Sequence, residues 1–249
     1  LNEAWGRHFE SWEQFEPPRF GTMLSCTDFI EWKTFICEKL AEDLRLRADA
    51  VRAGDPGHVV TAHAAVPSGL TSPLSEWAGY GCTDDFLMAD SVGHYGLSLY
   101  PKHSFPEHHW ETWKVEYAVA FSRSANLRRG GFWVGELQAG QGTRGTVVGN
   151  PVTADDHRVW IGTLLAHGAR AINLFAYHPM SSGYEAGGYG LINLDGSLTD
   201  RALSTGRLAE ALDKHADLLV SSQPVPAPVG IVYNPLVQMA GGEQHCGPR

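Results

Sequence analysis

Short, continuously apolar runs recurring between segments of helical period constrain this chain more than any other feature. A strand that is apolar on both faces can be buried only inside a parallel sheet covered by helices. Four such runs are legible, at 58–62, 91–100, 131–137 and 171–177. Between and after them lie helix-period stripes. Phe29, Trp32, Ile36, Leu40 and Leu44 follow a capping box of Asp28 and Glu31, and Gly54-Asp55-Pro56-Gly57 ends that helix. Trp110, Trp113, Tyr117 and Phe121 form a core-facing stripe after a second box, Ser104 with Glu107, which holds Pro106 in its first turn. Val159, Trp160, Thr163, Leu164 and His167 mark a helix from about Thr153, and Leu208, Leu212, Ala216 and Leu219 mark one across 199–221. Asp84-Asp85 is expected to cap a turn or helix.

The strands end in polar, aromatic or Gly-rich loops, while the returns into them are shorter. That asymmetry predicts an α/β fold, the second half of a (β/α)8 barrel over residues 1–222, with a doubly wound sheet as the structural alternative. Pro224, Pro226 and Pro228 form a stiff linker within 223–249, and 229–233 reads as the first strand of a truncated further α/β domain. The start at Leu1, without Met or a leader, and the strand-like run near the other end predict an interior segment of a longer protein.

Acidic residues outnumber basic ones 28 to 19, for a net charge of −9, and no basic stripe offers itself to phosphate. A nucleic-acid partner is excluded on that ground. No apolar run approaches the roughly 18 residues of a spanning helix, so no membrane partner is expected. Cys26, Cys37, Cys82 and Cys246 are scattered, with no C-x-x-C, which suits a reduced, cytoplasmic compartment. Any signal peptide would lie upstream of Leu1.

The residues able to carry chemistry sit at the strand ends. Glu136 closes the run Phe132-Trp-Val-Gly-Glu136 and shares its alternation with Phe132 and Val134, which predicts that all three point to the barrel axis. A carboxylate there is either half of an ion pair or a nucleophile or general base. Gly140-Gln-Gly142-Thr-Arg-Gly145 matches a dinucleotide fingerprint in spacing, but no helix opens within it and no acidic residue stands about 20 positions on. No cofactor is expected, and the segment reads as an active-site loop. His63, His103 and His178 would meet at one rim, as hydrogen-bonding groups rather than metal ligands. His108 and His109 are adjacent and cannot share a helical face. Tyr100 and Tyr177 are candidates either for stacking on a sugar or for packing.

A family resemblance adds to this. Leu1-Asn-Glu-Ala-Trp-Gly6, followed by Phe9 and Trp12, resembles a segment after the fourth barrel strand of glycoside hydrolase family 42, the microbial β-galactosidases. The similarity continues through Ser98-Leu-Tyr100-Pro101, Gly135-Glu136-Leu-Gln138, Phe175-Ala-Tyr177-His178, and Glu185 ten residues before Asp195-Gly196. It implies that the four strands are strands five to eight, that Glu136 is the nucleophile of a retaining hydrolase, that Glu185 contacts galactose, and that Tyr177 is a sugar platform. Tyr100, His178 and His63 complete the expected substrate-binding set. The chain departs from the family where Tyr177 replaces a tryptophan and Gly188 a histidine. The family's Asn-Glu acid/base pair and its cysteine-rich zinc cluster would lie upstream of Leu1. Glu185 and Glu107 are carboxylates that could substitute as acid, although neither occupies the corresponding strand end. The expected substrate is a β-galactoside or related oligosaccharide, and the parent enzyme a homo-oligomer, by resemblance a trimer. Alternatives are a non-catalytic carbohydrate-binding barrel, or a hydrolase of the same clan acting on an arabinopyranoside, glucoside or mannoside. The segment alone is expected to be inactive.

Overall fold

The computed structural model describes residues 1–18, 26–70, 83–103, 110–144 and 147–238. The Ser104–Glu107 capping box, the His108-His109 pair, the candidate acid Glu107, and Cys82 and Cys246 lie outside the described residues. The chain divides into two units, one of residues 1–60, 67–93 and 229–249, the other of 61–66 and 94–228.

The first unit is helical, with α1 (Asn2–Trp5), α2 (Thr27–Gly54) and α3 (Asp85–Ser91). Cys26, not Asp28, is the N-cap of α2, and the expected capping box does not form. Asp28 lies inside the first turn, where Arg7 Nη2 donates to its buried carboxylate at 2.7 Å. Glu31 accepts the indole N–H of Trp5 instead. A charged donor is a stronger partner for a carboxylate than a backbone amide, and it draws Asp28 away from the cap. The buried stripe of α2 is Phe29, Cys37, Ala41 and Ala48 with the stem of Lys33, while Leu40 is exposed, so the core-facing side is rotated from the expected one. The Leu1–Gly6 motif helps build an aromatic cluster in which Trp5, Phe9, Trp12 and Trp32 all contact the Phe15 ring.

Asp84 caps α3 as expected, its Oδ1 accepting from Phe86 N at 2.9 Å and Leu87 N at 3.4 Å. Because α3 runs to Ser91, the strand read at 91–100 starts only at His94. Residues 229–233 form no strand: Val232 is 97% exposed, and Tyr233 stacks on Phe86. An apolar run becomes a strand only where another backbone takes up its N–H and C=O groups, and no strand lies beside this one among the described residues.

The second unit holds β1 (Thr61–Ala64), β2 (His94–Leu99), α4 (Thr112–Ala125), β3 (Phe132–Gln138), β4 (Thr143–Arg144), β5 (Val147–Val148), α5 (Ala154–Ala166), β6 (Ala169–Phe175), α6 (Asp200–Lys214) and α7 (Ala216–Ser221). Strands β1, β2, β3 and β6 form one parallel sheet in that order, and β4 pairs antiparallel with β5. A doubly wound sheet reverses its strand order at a switch point. This sheet keeps chain order throughout, as a barrel wall does. β1 begins three residues later than expected, because His58 turns back to bond Asp55 and keeps the preceding residues in a turn.

Helix α4 packs on β2 and α5 on β6. The buried side of α4 is Val115, Ala118, Val119, Phe121 and Ser122; of the expected stripe Phe121 belongs to it, Trp110 and Tyr117 are half-buried, and Trp113 is 62% exposed on the opposite side. Buried Asn126 closes the start of β2, accepting from Tyr95 N at 3.0 Å and donating to Tyr95 O at 2.9 Å. Thr153 and Asp156 form a full capping box on α5, and Lys102 Nζ reaches the same Asp156 carboxylate at 2.8 Å. The helix expected across 199–221 is broken at His215. Among the described residues no helix is long and apolar enough to cross a membrane.

Substituting Thr153→Ala removes the cap acceptor of α5 and is expected to cost about 1 kcal/mol. A urea titration of the full-length protein checks this, and an unchanged midpoint would mean that the cap carries no stability.

Candidate active site

The sheet places Glu136 through a break in alternation. In the pairing of β2 with β3, Leu97 faces Val134 but Ser98 faces Glu136, so Gly135 is the extra residue of a bulge. The pairing of β3 with β6 is irregular over the same residues. Phe132, Val134 and Leu137 are fully buried, while Trp133 and Glu136 remain partly exposed. The expected shared direction of Phe132, Val134 and Glu136 is therefore corrected: the bulge brings Glu136 onto the face of Trp133. Gly135 is required there because a Cβ on it would overlap the imidazole ring of His63. His63 itself lies within β1, not after it. It meets Trp133 edge-to-face at 5.5 Å, and the Trp133 indole donates to Ala62 O at 2.9 Å.

Three of the expected residues come together on this face. Tyr100, one residue beyond β2, donates its hydroxyl to Glu136 Oε2 at 2.6 Å. His63 Nε2 stands 3.9 Å from Glu136 Oε1, too far for a hydrogen bond. Oε1 has no hydrogen-bond partner among the described residues. Burial first, and then the hydrogen bond and charge of Glu136, hold the Tyr100 phenol well above its ordinary range, with Tyr189 and Glu185 adding to the effect. Tyr100 therefore stays neutral and keeps donating. The electrostatic influence of Glu185 on Tyr100 puts its half-buried carboxylate in the field of the same site.

Tyr177 and His178 make no hydrogen bond to this cluster among the described residues. Tyr177 is 66% exposed in the loop after β6, its carbonyl accepting from Ile192 N. His178 is exposed and bonded through Nδ1 to the carbonyl of Pro179. Tyr189 and His103 occupy the space beside Tyr100 instead. The Tyr189 hydroxyl shares a 2.6 Å hydrogen bond with His103 Nδ1, and both rings lie against Tyr100. The sequence carried a signal for this in the glycines of the fingerprint-like loop. A Cβ on Gly140 would overlap the backbone of Gly190, and one on Gly142 would crowd the Tyr189 ring and His103. The loop turns into the β4–β5 hairpin, and α5 opens only at Ala154. Its two glycines make room for protein, not for a pyrophosphate.

Among the described residues no three His, Cys, Asp or Glu side chains converge to hold a metal ion. The cysteine-rich zinc cluster that the family resemblance implies has no ligand set among the described residues.

Comparison with known proteins agrees with this architecture. The profile of glycosyl hydrolase family 42, described as beta-galactosidase, matches residues 1–215. No curated protein sequence matches the chain. Among solved structures, a polyextremophilic beta-galactosidase from the Antarctic haloarchaeon Halorubrum lacusprofundi is similar with a TM-score of 0.71 at 22% identity, over 98% of this chain and 36% of that one. A catalytic mutant of a family 42 beta-galactosidase from G. stearothermophilus gives 0.74 at 17% identity, over 96% and 35%. The beta-galactosidase of Bacillus circulans sp. alkalophilus gives 0.69 at 18%, over 89% and 32%. The chain spans about a third of the length of these structures, and at such identities the likeness is one of fold.

The raised pKa of Tyr100 has a consequence for stability. The folded chain holds this proton more tightly than the unfolded chain, whose phenol titrates near its ordinary 10. The associated stability is complete below that pH and is lost as pH rises beyond it. In the full-length protein, the urea midpoint of wild type is expected to fall more steeply than that of Tyr100→Phe between about pH 9.5 and 11. Parallel slopes would contradict the assignment.

Proposed function

Because this chain belongs to glycoside hydrolase family 42, the beta-galactosidases, we propose that it carries the nucleophile side of a retaining β-galactosidase site, with Glu136 as nucleophile. The observation that supports this most is the state of the Glu136 carboxylate. One oxygen is fixed by a neutral phenol, while the other carries no hydrogen bond among the described residues, at the end of a parallel strand. Chemistry in barrel enzymes gathers at that end of the strands.

In the proposed reaction, Glu136 Oε1 attacks the anomeric carbon of a terminal β-D-galactosyl residue and forms a covalent glycosyl-enzyme. A second carboxyl group, about 5–5.5 Å away, protonates the departing oxygen and then deprotonates the water that releases the sugar. That group is proposed to be the glutamate of the Asn-Glu pair after strand four, which the family resemblance places upstream of Leu1. Tyr100 keeps Oε2 oriented, so that attack costs little reorganisation. Glu185 is assigned to the sugar hydroxyls, Tyr177 to the sugar face, and His63 and His178 to polar contacts at the rim. The same reading makes the full-length enzyme a cytoplasmic homo-oligomer, a trimer by resemblance. Tyr177 and Gly188, where the chain departs from the family, bear on which sugar is preferred. A panel of nitrophenyl galactosides, arabinopyranosides, glucosides and mannosides ranks them.

In the full-length enzyme, Glu136→Ala is expected to lower kcat on nitrophenyl β-galactoside by several orders of magnitude. Azide should restore turnover, releasing the galactosyl azide of inverted configuration. Wild-type activity in this variant would overturn the assignment. Glu185→Gln is expected to lower kcat/KM by about 2–4 kcal/mol of transition-state binding, as for a charged hydrogen bond left unmade. A change of less than about threefold in kcat/KM would remove Glu185 from the site.

A further inference from the structure

We infer that Tyr189, held by His103, is a positioning residue for the nucleophile, acting on Glu136 through Tyr100. This rests on the reading of Glu136 given above. Tyr189 is 1% exposed and takes a φ of 61°, a left-handed conformation that is strained for a residue bearing a side chain. Strain of that kind persists only where the surroundings over-determine it. Here Tyr189 N donates to Gln141 O, and Tyr189 O accepts from Ala176 N, each at 2.8 Å. The Tyr189 residue is thereby tied to the loops after β3 and after β6.

Its ring then meets the site. It lies edge-on to Tyr100 at 5.7 Å and 88°, contacts Phe175 at 5.7 Å, and stacks on His103 at 5.6 Å. Phe175 and His103 contact Tyr100 as well, at 6.3 and 5.5 Å. The ring that fixes Glu136 Oε2 is therefore confined by Phe175 at the end of β6 and by two rings from loops, and the hydroxyl–imidazole bond of Tyr189 and His103 joins the loop after β6 to the loop after β2. A phenylalanine would fill the same volume as Tyr189. What the hydroxyl adds is the tie to His103, and with it the setting of the Tyr100 ring against Glu136.

A double-mutant cycle on the full-length enzyme separates this role from simple packing. Tyr189→Phe is expected to lower kcat about tenfold while leaving KM within about twofold. His103→Ala should do the same, and His103→Asn, whose Oδ1 can stand where Nδ1 stood, should recover most of the loss. In a Tyr100→Phe background, Tyr189→Phe should change kcat by less than about twofold, because the group it acts through is gone. An equal loss in both backgrounds, an unchanged kcat in Tyr189→Phe, or no recovery in His103→Asn would each overturn the inference. Glu136→Ala, measured alongside, tells the two readings apart. If it is inactive while Tyr189→Phe behaves as wild type, only the positioning role falls; if it is fully active, the nucleophile assignment falls with it.

Discussion

Gly135 is where β3 leaves the register of its neighbours, and the site depends on that departure. A regular parallel strand would send Glu136 to the face of Phe132 and Val134, which is fully buried. One extra residue turns the carboxylate to the face where Tyr100 and His63 wait, and the missing side chain at the bulge makes room for the imidazole. Backbone irregularity of this type re-aims a side chain without disturbing the rest of the sheet. Pairing resumes at Glu136 with β2 and at Leu137 with β6.

From that placement the electrostatics follow. Burial of the phenol, and then the Glu136 carboxylate beside it, raise the phenol's pKa, and a phenol that stays neutral remains a donor. The hydrogen bond fixes one carboxylate oxygen and leaves the other without a hydrogen bond among the described residues. Around it the aromatic rings of Tyr100, Phe175, Tyr189 and His103 form a packed group drawn from the loop after β2, the last residue of β6 and the loop after β6. A barrel wall supplies rigid strand ends, and its loops supply the chemistry.

Much of this was legible in the sequence, and the failures have physical causes. Strand–helix alternation foretold the parallel sheet, because apolar runs of that length have few other places to be buried. Tyr100 and Glu136 were legible as strand-end residues, but their hydrogen bond was not, because Tyr100 read as a residue for stacking or packing. The direction of Glu136 could not be read from alternation, because a bulge is invisible to a period-two pattern. Trp113 shows the same limit on a helix: its spacing fits the stripe, but the small residues Ala118 and Ser122 allow α4 to pack closer on the other side. The capping box at Asp28 failed because a partner distant in sequence, Arg7, competes for the carboxylate. Tyr189 was missed because its role comes from a left-handed backbone between glycines and from partners in two remote loops. Only the unexplained glycines at 140 and 142 hinted at it.

The central claim is that Glu136 forms a covalent bond to the sugar. Incubating the full-length enzyme with a 2-deoxy-2-fluoro-β-galactosyl fluoride should trap the glycosyl-enzyme, since the 2-fluorine slows both steps while the fluoride leaving group speeds only the first. Peptide mass spectrometry is expected to find the added fluorosugar on the peptide containing residues 132–138, at Glu136. A label on another carboxylate, or inactivation without any covalent adduct, would contradict the account.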